Sequence, residues 1–266
     1  MPQSQVRQKW NDETDSAAPN SPASRRIRRV FAVLLLVALS PVVLQYLNPV
    51  PLPATRFATI RVAGYRSLTI SPVPFLQPDL EALHQNLKAM PTGLITVAPP
   101  VVLESDDPLD QIRSSLASAV QRDTDRLIVY VKAHGVSELD ETGQMRARLL
   151  CGESYHPDLR SGRVDISEVL SAVSAIRSPL KLVILDCNHI ASDVRLGMAA
   201  NEFPRLTGEL LADLRDQHMW VLLAGGTLQV STSDVGRHRT PFAHSVSQAL
   251  SGEADRKANG GNGNRQ

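Results

Sequence analysis

Two apolar runs that stop abruptly at polar, reactive residues constrain what this chain can fold into. The first, LIVYVKAHG, covers residues 127–135, and the second, KLVILDCNHI, covers residues 181–190. Such runs, rich in valine, isoleucine and leucine, are typical of parallel strands that are buried on both faces. In open α/β sheets, ligands and reactive groups collect at the carboxyl ends of the strands. We therefore expect His134 and Cys187 to lie near the same edge of one sheet.

The remainder of the chain alternates between strand-like and helix-like patterns. Strands are predicted at residues 57–62, 94–97, 127–132, 180–186 and 220–224, and helices at 77–90, 108–122, 165–176, 203–216 and 241–251. Asp165 and Glu168 form a plausible capping pair at the start of the third helix, and residues 145–150 predict a hairpin flap. Strands separated by helices of this length predict an α/β fold, a three-layer αβα sandwich around a mostly parallel sheet.

The chain divides into five predicted segments. Residues 1–29 are a polar arm expected to be disordered, 30–47 an apolar segment, 48–55 a proline-rich linker, 56–252 the main domain and 253–266 a disordered, Gly- and Asn-rich tail. The apolar segment has 18 residues without a charge, near the lower limit for a helix that spans a bilayer. It predicts a single transmembrane signal anchor.

Two other readings of the apolar segment are a cleaved signal peptide and a buried core helix. A signal peptide is disfavoured by the long polar arm, by an apolar run above the usual ~7–15 residues, and by the lack of a small-x-small cleavage site. The arm ends in a basic cluster of Arg25, Arg26, Arg28 and Arg29. The positive-inside rule then predicts a cytoplasmic N-terminus and an extracytoplasmic main domain. Arg56 and Arg61, beyond the segment, weaken this asymmetry.

Composition argues against several classes of function. The formal net charge is +1, so nothing global indicates a nucleic-acid partner. The two cysteines, Cys151 and Cys187, match no zinc-binding or CxxC spacing. We expect no metal and no cofactor, while a single disulfide between the two cysteines stays possible.

In the order and spacing of its motifs, the chain resembles the caspase/metacaspase-like cysteine peptidases. His134-Gly135 is similar to the strand-ending His-Gly of that family, and Cys187 follows His134 at 53 residues, against about 50 between histidine and cysteine in the family. The run WVLLAGGTLQVSTS, residues 220–233, resembles the next strand and its Gln-x-Ser loop, and TPFAHSVSQAL the closing helix. The resemblance covers about residues 57–250.

The resemblance implies a thiol-peptidase site. Cys187 would be the nucleophile, His134 the general acid and base, and the Gly135 amide a donor to the oxyanion. Asp186, Asn188, Gln229 and Ser231 would line the substrate pocket. The implied partner is a peptide or protein.

The sequence departs from the family at the cysteine. The family reads Asp-x-Cys, or Gln-Ala-Cys, followed by a small-residue turn that contains glycine, whereas here Asp186 is followed directly by Cys187. If Asp186 keeps the family register, Asn188 takes the nucleophile position and Cys187 points to the opposite face. If the turn has instead lost a residue, Cys187 reaches the site and Ile190 replaces the expected glycine. Two functions follow, a thiol endopeptidase or a catalytically inactive scaffold or binding module, and the shifted cysteine slightly favours the second. Nothing in the sequence fixes the oligomeric state.

Overall fold

A computed structural model describes residues 53–89, 95–104, 108–152, 162–194, 198–253 and 256. All of them belong to one compact unit, Leu52–Gln266. The predicted arm, the predicted membrane anchor and most of the predicted linker and tail lie outside the described residues. Among the residues that the structure describes, no helix is both long enough and apolar enough to cross a bilayer.

The centre of the fold is a parallel sheet of six strands. They are β1 (Thr55–Arg61), β2 (Ile95–Val97), β3 (Val101–Val102), β4 (Arg126–Lys132), β8 (Lys181–Asp186) and β9 (Met219–Leu223). Their order across the sheet is β2-β1-β4-β8-β9, and β3 also pairs with β1. Every pairing in this sheet is parallel. The mostly parallel sheet predicted from the sequence is therefore confirmed.

Helices cover both faces of this sheet. They are α1 (Leu76–Lys88), α2 (Leu109–Ala119), α3 (Ile166–Ser174), α4 (Phe203–Asp213) and α5 (Pro241–Leu250). Because side chains alternate along a strand, Val129 and Val131 of β4 join the core beneath α2, α3 and α4, whereas Ile128 and Tyr130 join the core beneath α1 and α5. This α/β arrangement of helix, sheet and helix layers agrees with the predicted three-layer sandwich.

A small antiparallel sheet follows the end of β4. It consists of β5 (Gly135–Leu139), β6 (Met145–Leu150) and β7 (Arg163–Asp165), in that order. The predicted flap is thus present, with a third strand that the sequence did not predict. Asp165 caps α3 as expected, since its Oδ1 accepts from the Ser167 N–H at 2.9 Å, which satisfies one of the free donors of the first turn.

Two helices end three residues earlier than their sequence pattern predicted. The helix predicted to 122 ends at Ala119, and the one predicted to 216 ends at Asp213. In each case the next residue, Val120 or Leu214, adopts an extended conformation. Both residues pack against the core beneath α2, α3 and α4. Tertiary packing therefore ends these helices where helical periodicity alone would continue them.

The first testable prediction concerns Gly135, at the start of β5. A Cβ at this position would lie 2.8–2.9 Å from ring atoms of Phe203, and that ring is fully buried at the start of α4. Gly135→Ala is expected to lower the free energy of unfolding by about 1–3 kcal/mol, because a packed core resists extra volume. The measurement is a urea unfolding curve.

Gly208 supplies the matched control. It lies in the interior of α4, and a Cβ there would have no neighbour within 4 Å. Gly208→Ala should raise stability by about 0.5–1 kcal/mol, because alanine favours the helix. Equal effects of the two substitutions would contradict the close packing of Gly135 against Phe203.

Candidate functional site

The two chain segments singled out in the sequence meet at the carboxyl edge of the sheet. β4 and β8 are neighbours, and Lys132 is the register partner of Asp186. His134 follows β4, and Cys187 and Asn188 follow β8. The two segments are also joined by a main-chain hydrogen bond, in which the Gly135 N–H donates to the Cys187 carbonyl at 2.7 Å.

His134 is buried beneath aromatic and main-chain contacts. Its exposed fraction is 2%, and its ring stacks on Tyr65 with centroids 5.1 Å apart. The Tyr65 hydroxyl accepts from the His134 main-chain N–H at 2.9 Å. The ring of His189 lies edge-on at 5.8 Å. The structure therefore brings a second histidine against the predicted acid-base residue, whereas the sequence left His189 either as a surface loop residue or as a second histidine of the site.

The hydrogen bonds of His134 define its protonation. Its Nε2 lies 2.7 Å from the Ser71 carbonyl oxygen, which can only accept, so the Nε2 carries the hydrogen. The Nδ1 is buried and has no hydrogen-bond partner among the described residues. Burial lowers the pKa of His134 to about 4, because the interior disfavours the charged ring. At neutral pH the imidazole is neutral, and its lone pair is closed off from solvent.

The Cys187 side chain belongs to the core beneath α2, α3 and α4. Its exposed fraction is 1%, and its Sγ lies 3.6 Å from the carbonyl oxygen of Val131. Burial raises the pKa of the thiol well above its usual value, and the nearby Asp186 raises that pKa further. Cys151 is likewise a buried thiol, and it forms no disulfide with Cys187.

Three of the four predicted pocket residues lie together. The Asn188 carbonyl accepts from the Ser231 N–H at 2.6 Å, and the Asn188 side-chain amide donates to the Gln229 carbonyl. The Gln229 side chain in turn accepts from the Gly226 N–H at 2.9 Å. The loop after β9 is therefore held against the end of β8 through Asn188, which is itself 3% exposed.

Asp186, the fourth predicted pocket residue, faces the opposite layer of the fold. Its Oδ2 lies 2.7 Å from the Lys132 Nζ and accepts from the Tyr130 hydroxyl at 2.8 Å. Lys132 also contacts Asp79 of α1 at 2.5 Å. All three charged side chains are fully buried. Asp186 is thus neutralised by a lysine of its own chain.

This ion-pair cluster extends to two loops. Thr240, the N-cap of α5, places its Oγ1 3.0 Å from Asp79 Oδ2 and 3.2 Å from Asp186 Oδ2. The His189 Nε2 lies 3.1 Å from the main-chain oxygen of Asp186 and 3.3 Å from its Oδ1. Burial lowers the pKa of His189, and the charge of Asp186 opposes that shift without reversing it.

Two residues that the sequence analysis missed are central to this edge. Lys132 could have been found, since it is the one charge that ends the apolar run of β4. Asn201 gave no signal: its side-chain amide donates to the carbonyls of Gly135 and Ile190, each at 2.8 Å. Its Oδ1 accepts from the Phe203 N–H at 3.0 Å. Asn201 therefore connects the segments that follow β4 and β8 to the start of α4.

The reactive groups at this edge are enclosed, and its surface is formed by loops. Within the described ranges, no group of three or more His, Cys, Asp or Glu side chains is placed to hold a metal ion. The thiol, the imidazole lone pair and the Gly135 amide are each buried or already bonded. The surface nearby is shaped by the loops after β8 and β9, with a pocket of about 200 Å³ between them.

Comparison with known proteins gives little further guidance. No protein-family model matches the chain, and no curated protein matches it. Among solved structures it is similar to the protein GSU0716 from Geobacter sulfurreducens, with a TM-score of 0.49 and 11% identical residues. The similarity covers 76% of this chain and 83% of that one. A similarity of this extent supports no conclusion about function.

The ion-pair cluster yields the second prediction. Lys132→Met should lower the free energy of unfolding by about 3–5 kcal/mol, because it removes the lysine paired with both buried carboxylates and leaves Asp79 only its 3.4 Å contact with Arg239. Lys88→Met, at the exposed end of α1, should change stability by less than about 0.5 kcal/mol. The measurement is chemical denaturation.

A triple variant, Lys132→Met with Asp79→Asn and Asp186→Asn, distinguishes the loss of charge pairing from a loss of packing. It should recover part of the stability lost in Lys132→Met, because the charges are removed together. A triple variant less stable than Lys132→Met would contradict the proposed electrostatic origin of the loss.

The third prediction concerns pH. Since the folded pKa of His134 is about 4 and the unfolded value about 6.5, the unfolded chain binds more protons between these values. Stability therefore falls as the pH drops through this window, by at most about 3 kcal/mol from this residue. In His134→Asn the decrease between pH 6.5 and 4 should be smaller than in the wild type. His218→Asn, at an exposed position, should keep the wild-type slope, and a wild-type slope in His134→Asn would refute the assignment.

Proposed function

We propose that this chain is a membrane-anchored, catalytically inactive caspase-like domain protein that binds a peptide or protein partner at the carboxyl edge of its sheet. The single observation that carries the proposal is the direction of Cys187, whose sulfur lies in the core and 3.6 Å from the Val131 carbonyl. A thiol peptidase needs its sulfur at the substrate, as a thiolate.

The environment of Cys187 opposes thiolate chemistry in two ways. The side chain is 1% exposed, so no peptide carbonyl can approach it. Burial also raises the pKa of the thiol, which keeps it protonated at neutral pH. A reactive cysteine has the opposite properties, a lowered pKa and an accessible position.

The position that faces the site is occupied by Asn188. Asp186 points toward α1, so the alternation of side chains sends Cys187 to the other face, as the first register described above requires. Asn188 comes next, and its amide is bonded to the Gln229 carbonyl. An amide cannot supply the nucleophile, and here it serves to fix the neighbouring loop.

The other two parts of a peptidase site are also engaged. The Gly135 N–H, the expected oxyanion donor, donates to the Cys187 carbonyl. The Nε2 of His134 is bonded to the Ser71 carbonyl. The Gly135 N–H would have to break its bond before it could donate to an oxyanion, and the Nδ1 lone pair of His134 is buried away from solvent. The arrangement supports a role in which the edge is used for recognition and its former chemistry is absent.

The anchor in this proposal rests on the sequence. Residues 30–47 carry no charge, and a proline-rich linker separates them from the domain. Such a tether would hold the domain near a bilayer surface. A partner bound at the carboxyl edge of the sheet would then be recruited to that membrane.

A thiol endopeptidase is the second candidate function. It is favoured by the proximity of the two loops and by the Nδ1 of His134, which has no partner among the described residues. For this function Cys187 would have to turn out of the core during the reaction. Cleavage assays separate the two candidates.

The fourth prediction is the absence of thiol-dependent cleavage. The full-length chain, in detergent micelles and under reducing conditions, should leave a broad peptide library uncut, as should Cys187→Ala and His134→Ala. Iodoacetamide should modify Cys187 at a rate at least about tenfold below that of a free thiol of pKa about 8.5, and unfolding in urea should abolish this protection. Cleavage by the wild type that is lost in both variants would overturn the proposal in favour of the peptidase.

A further inference from the structure

Apolar side chains are exposed at one corner of the central sheet, on the face that α1 and α5 cover elsewhere. β9 is the last strand on that side of the sheet, and its Trp220 and Leu222 are 66% and 43% exposed. Their register partners are Leu182 and Ile184, which pack with the core beneath α1 and α5. The two helices therefore leave the end of this face open.

The open surface continues across the sheet toward the start of β1. Leu180 directly precedes β8, is 42% exposed, and extends the hydrogen bonding of β8 to β4 through its carbonyl. Because side chains alternate along a strand, Leu180 lies on the same face as Leu182. By the same alternation, the exposed Arg126 at the start of β4 shares this face with Ile128. Arg126 is in turn the register partner of Thr55, the first residue of β1.

The chemistry of this surface suits the boundary between lipid and water. We refer to Arg126, Leu180, Trp220 and Leu222 together as the β9 corner. Tryptophan is enriched at the membrane interface, where its ring is partly in lipid and partly among headgroups. An arginine beside it can lay its apolar stem on the same surface and bind a phosphate group with its guanidinium. Among the residues that the structure describes, Arg126 forms no ion pair, so its charge is available to a headgroup.

The loops that enter β8 and β9 add positive charge at the same end of the strands. Arg177 and Arg215 lie in these loops and are exposed. Asp216, in the second loop, is neutralised by a lysine of β8 at 2.6 Å. The exposed carboxylates of Asp123 and Asp213 offset part of the charge at this end of the sheet. Together with Arg126 a small positive excess remains, which anionic headgroups attract.

The point at which the chain enters the domain favours a bilayer as the surface that covers the β9 corner. β1 begins at Thr55, in the same row as Arg126 and three strands from β9. Neighbouring strands are about 4.8 Å apart, so this distance is only about 14 Å. The proposed anchor ends at residue 47, and the linker of residues 48–55 can extend by at most about 29 Å. The linker therefore keeps the β9 corner within reach of the bilayer.

We propose that the β9 corner contacts the surface of the membrane to which the chain is anchored, with anionic lipid as the preferred contact. The inference rests on the anchor in the proposed function and adds the face of the domain that meets the lipid. The candidate site is at the opposite end of the strands, about 20 Å away for strands of six or seven residues. In this orientation it stays open to a partner.

The experiment measures contact between Trp220 and lipid by fluorescence quenching. The chain has two tryptophans, so Trp10→Phe leaves Trp220 as the only one. The full-length variant is reconstituted in vesicles of phosphatidylcholine, alone or mixed with phosphatidylglycerol, in which part of the lipid carries brominated acyl chains. Bromine quenches a ring that touches the lipid. Brominated lipid should lower the Trp220 emission at least about twofold in the anionic vesicles, because the ring lies at the interface, and by less in phosphatidylcholine alone.

A second emitter position supplies the control for the location of the contact. Leu139→Trp, combined with Trp10→Phe and Trp220→Phe, moves the only tryptophan to the end of β5 in the small antiparallel sheet. Leu139 is 58% exposed, similar to Trp220, but it lies beyond the carboxyl edge of the central sheet. Its emission should be insensitive to brominated lipid.

A pair of arginine variants tests the charge. Arg126→Gln, in the Trp10→Phe chain, should reduce the quenching of Trp220 in anionic vesicles by about twofold or more, because one headgroup contact is lost. Arg113→Gln makes the same change on α2, in the opposite helical layer, and should leave the quenching unchanged. Both arginines are exposed, so both variants should fold, which circular dichroism will check.

Alkaline carbonate extraction of the same vesicles tests the anchor separately. If carbonate releases the chain, the anchor is wrong and the orientation falls with it. If the chain stays in the vesicles while Trp220 is quenched no more than the tryptophan of Leu139→Trp, the anchor stands and the orientation is wrong. A Trp220 emission that is shifted to shorter wavelength without quenching by brominated lipid would also overturn the inference, since a second copy or another protein would then cover the β9 corner.

Discussion

The contact on which this fold most depends is the buried ion pair of Lys132 with Asp79 and Asp186. One lysine lies between two carboxylates, and all three side chains are fully buried; Arg239 lies 3.4 Å from Asp79. The cluster joins α1, β4 and β8, and through Thr240 it reaches the start of α5. Loss of any member of this cluster destabilises the fold, because an unpaired charge in the interior costs several kcal/mol of folding free energy. It therefore constrains how four elements meet at one edge of the sheet.

The same contact determines the direction of Cys187. Lys132 and Asp186 are register partners on adjacent parallel strands, so their side chains lie on one face of the sheet. The next residue of the strand must point to the other face. That face is packed by α2, α3 and α4, and the sulfur joins their core. The buried ion pair and the inaccessible thiol therefore both follow from the register of β4 and β8.

Much of the fold was predictable because its main signals are local. A parallel sheet with helices on both faces was indicated by the apolar runs of β4 and β8 and by their alternation with amphipathic helices. The structure has this sheet and both helical layers. The sequence did not predict that two helices end at Ala119 and Asp213, because tertiary packing of the next residue decides where they end. At the site, the proximity of His134 to the end of β8 followed from topology. The roles of Tyr65 and Asn201 did not, because each depends on contacts with residues distant in sequence, His134 for Tyr65 and Gly135 for Asn201. The predicted segments before residue 53 lie outside the described structure and stay predictions.

If the edge has the proposed function, the bond between the Gly135 N–H and the Cys187 carbonyl has a consequence for redesign. A cysteine introduced at position 188 would place a thiol where a nucleophile belongs, yet the developing negative charge of the reaction would find its expected donor already engaged. Freeing that donor requires a change in main-chain path, which no single side-chain replacement provides. In the proposed function, giving this edge thiol-peptidase activity would therefore take several coordinated changes, each without benefit alone.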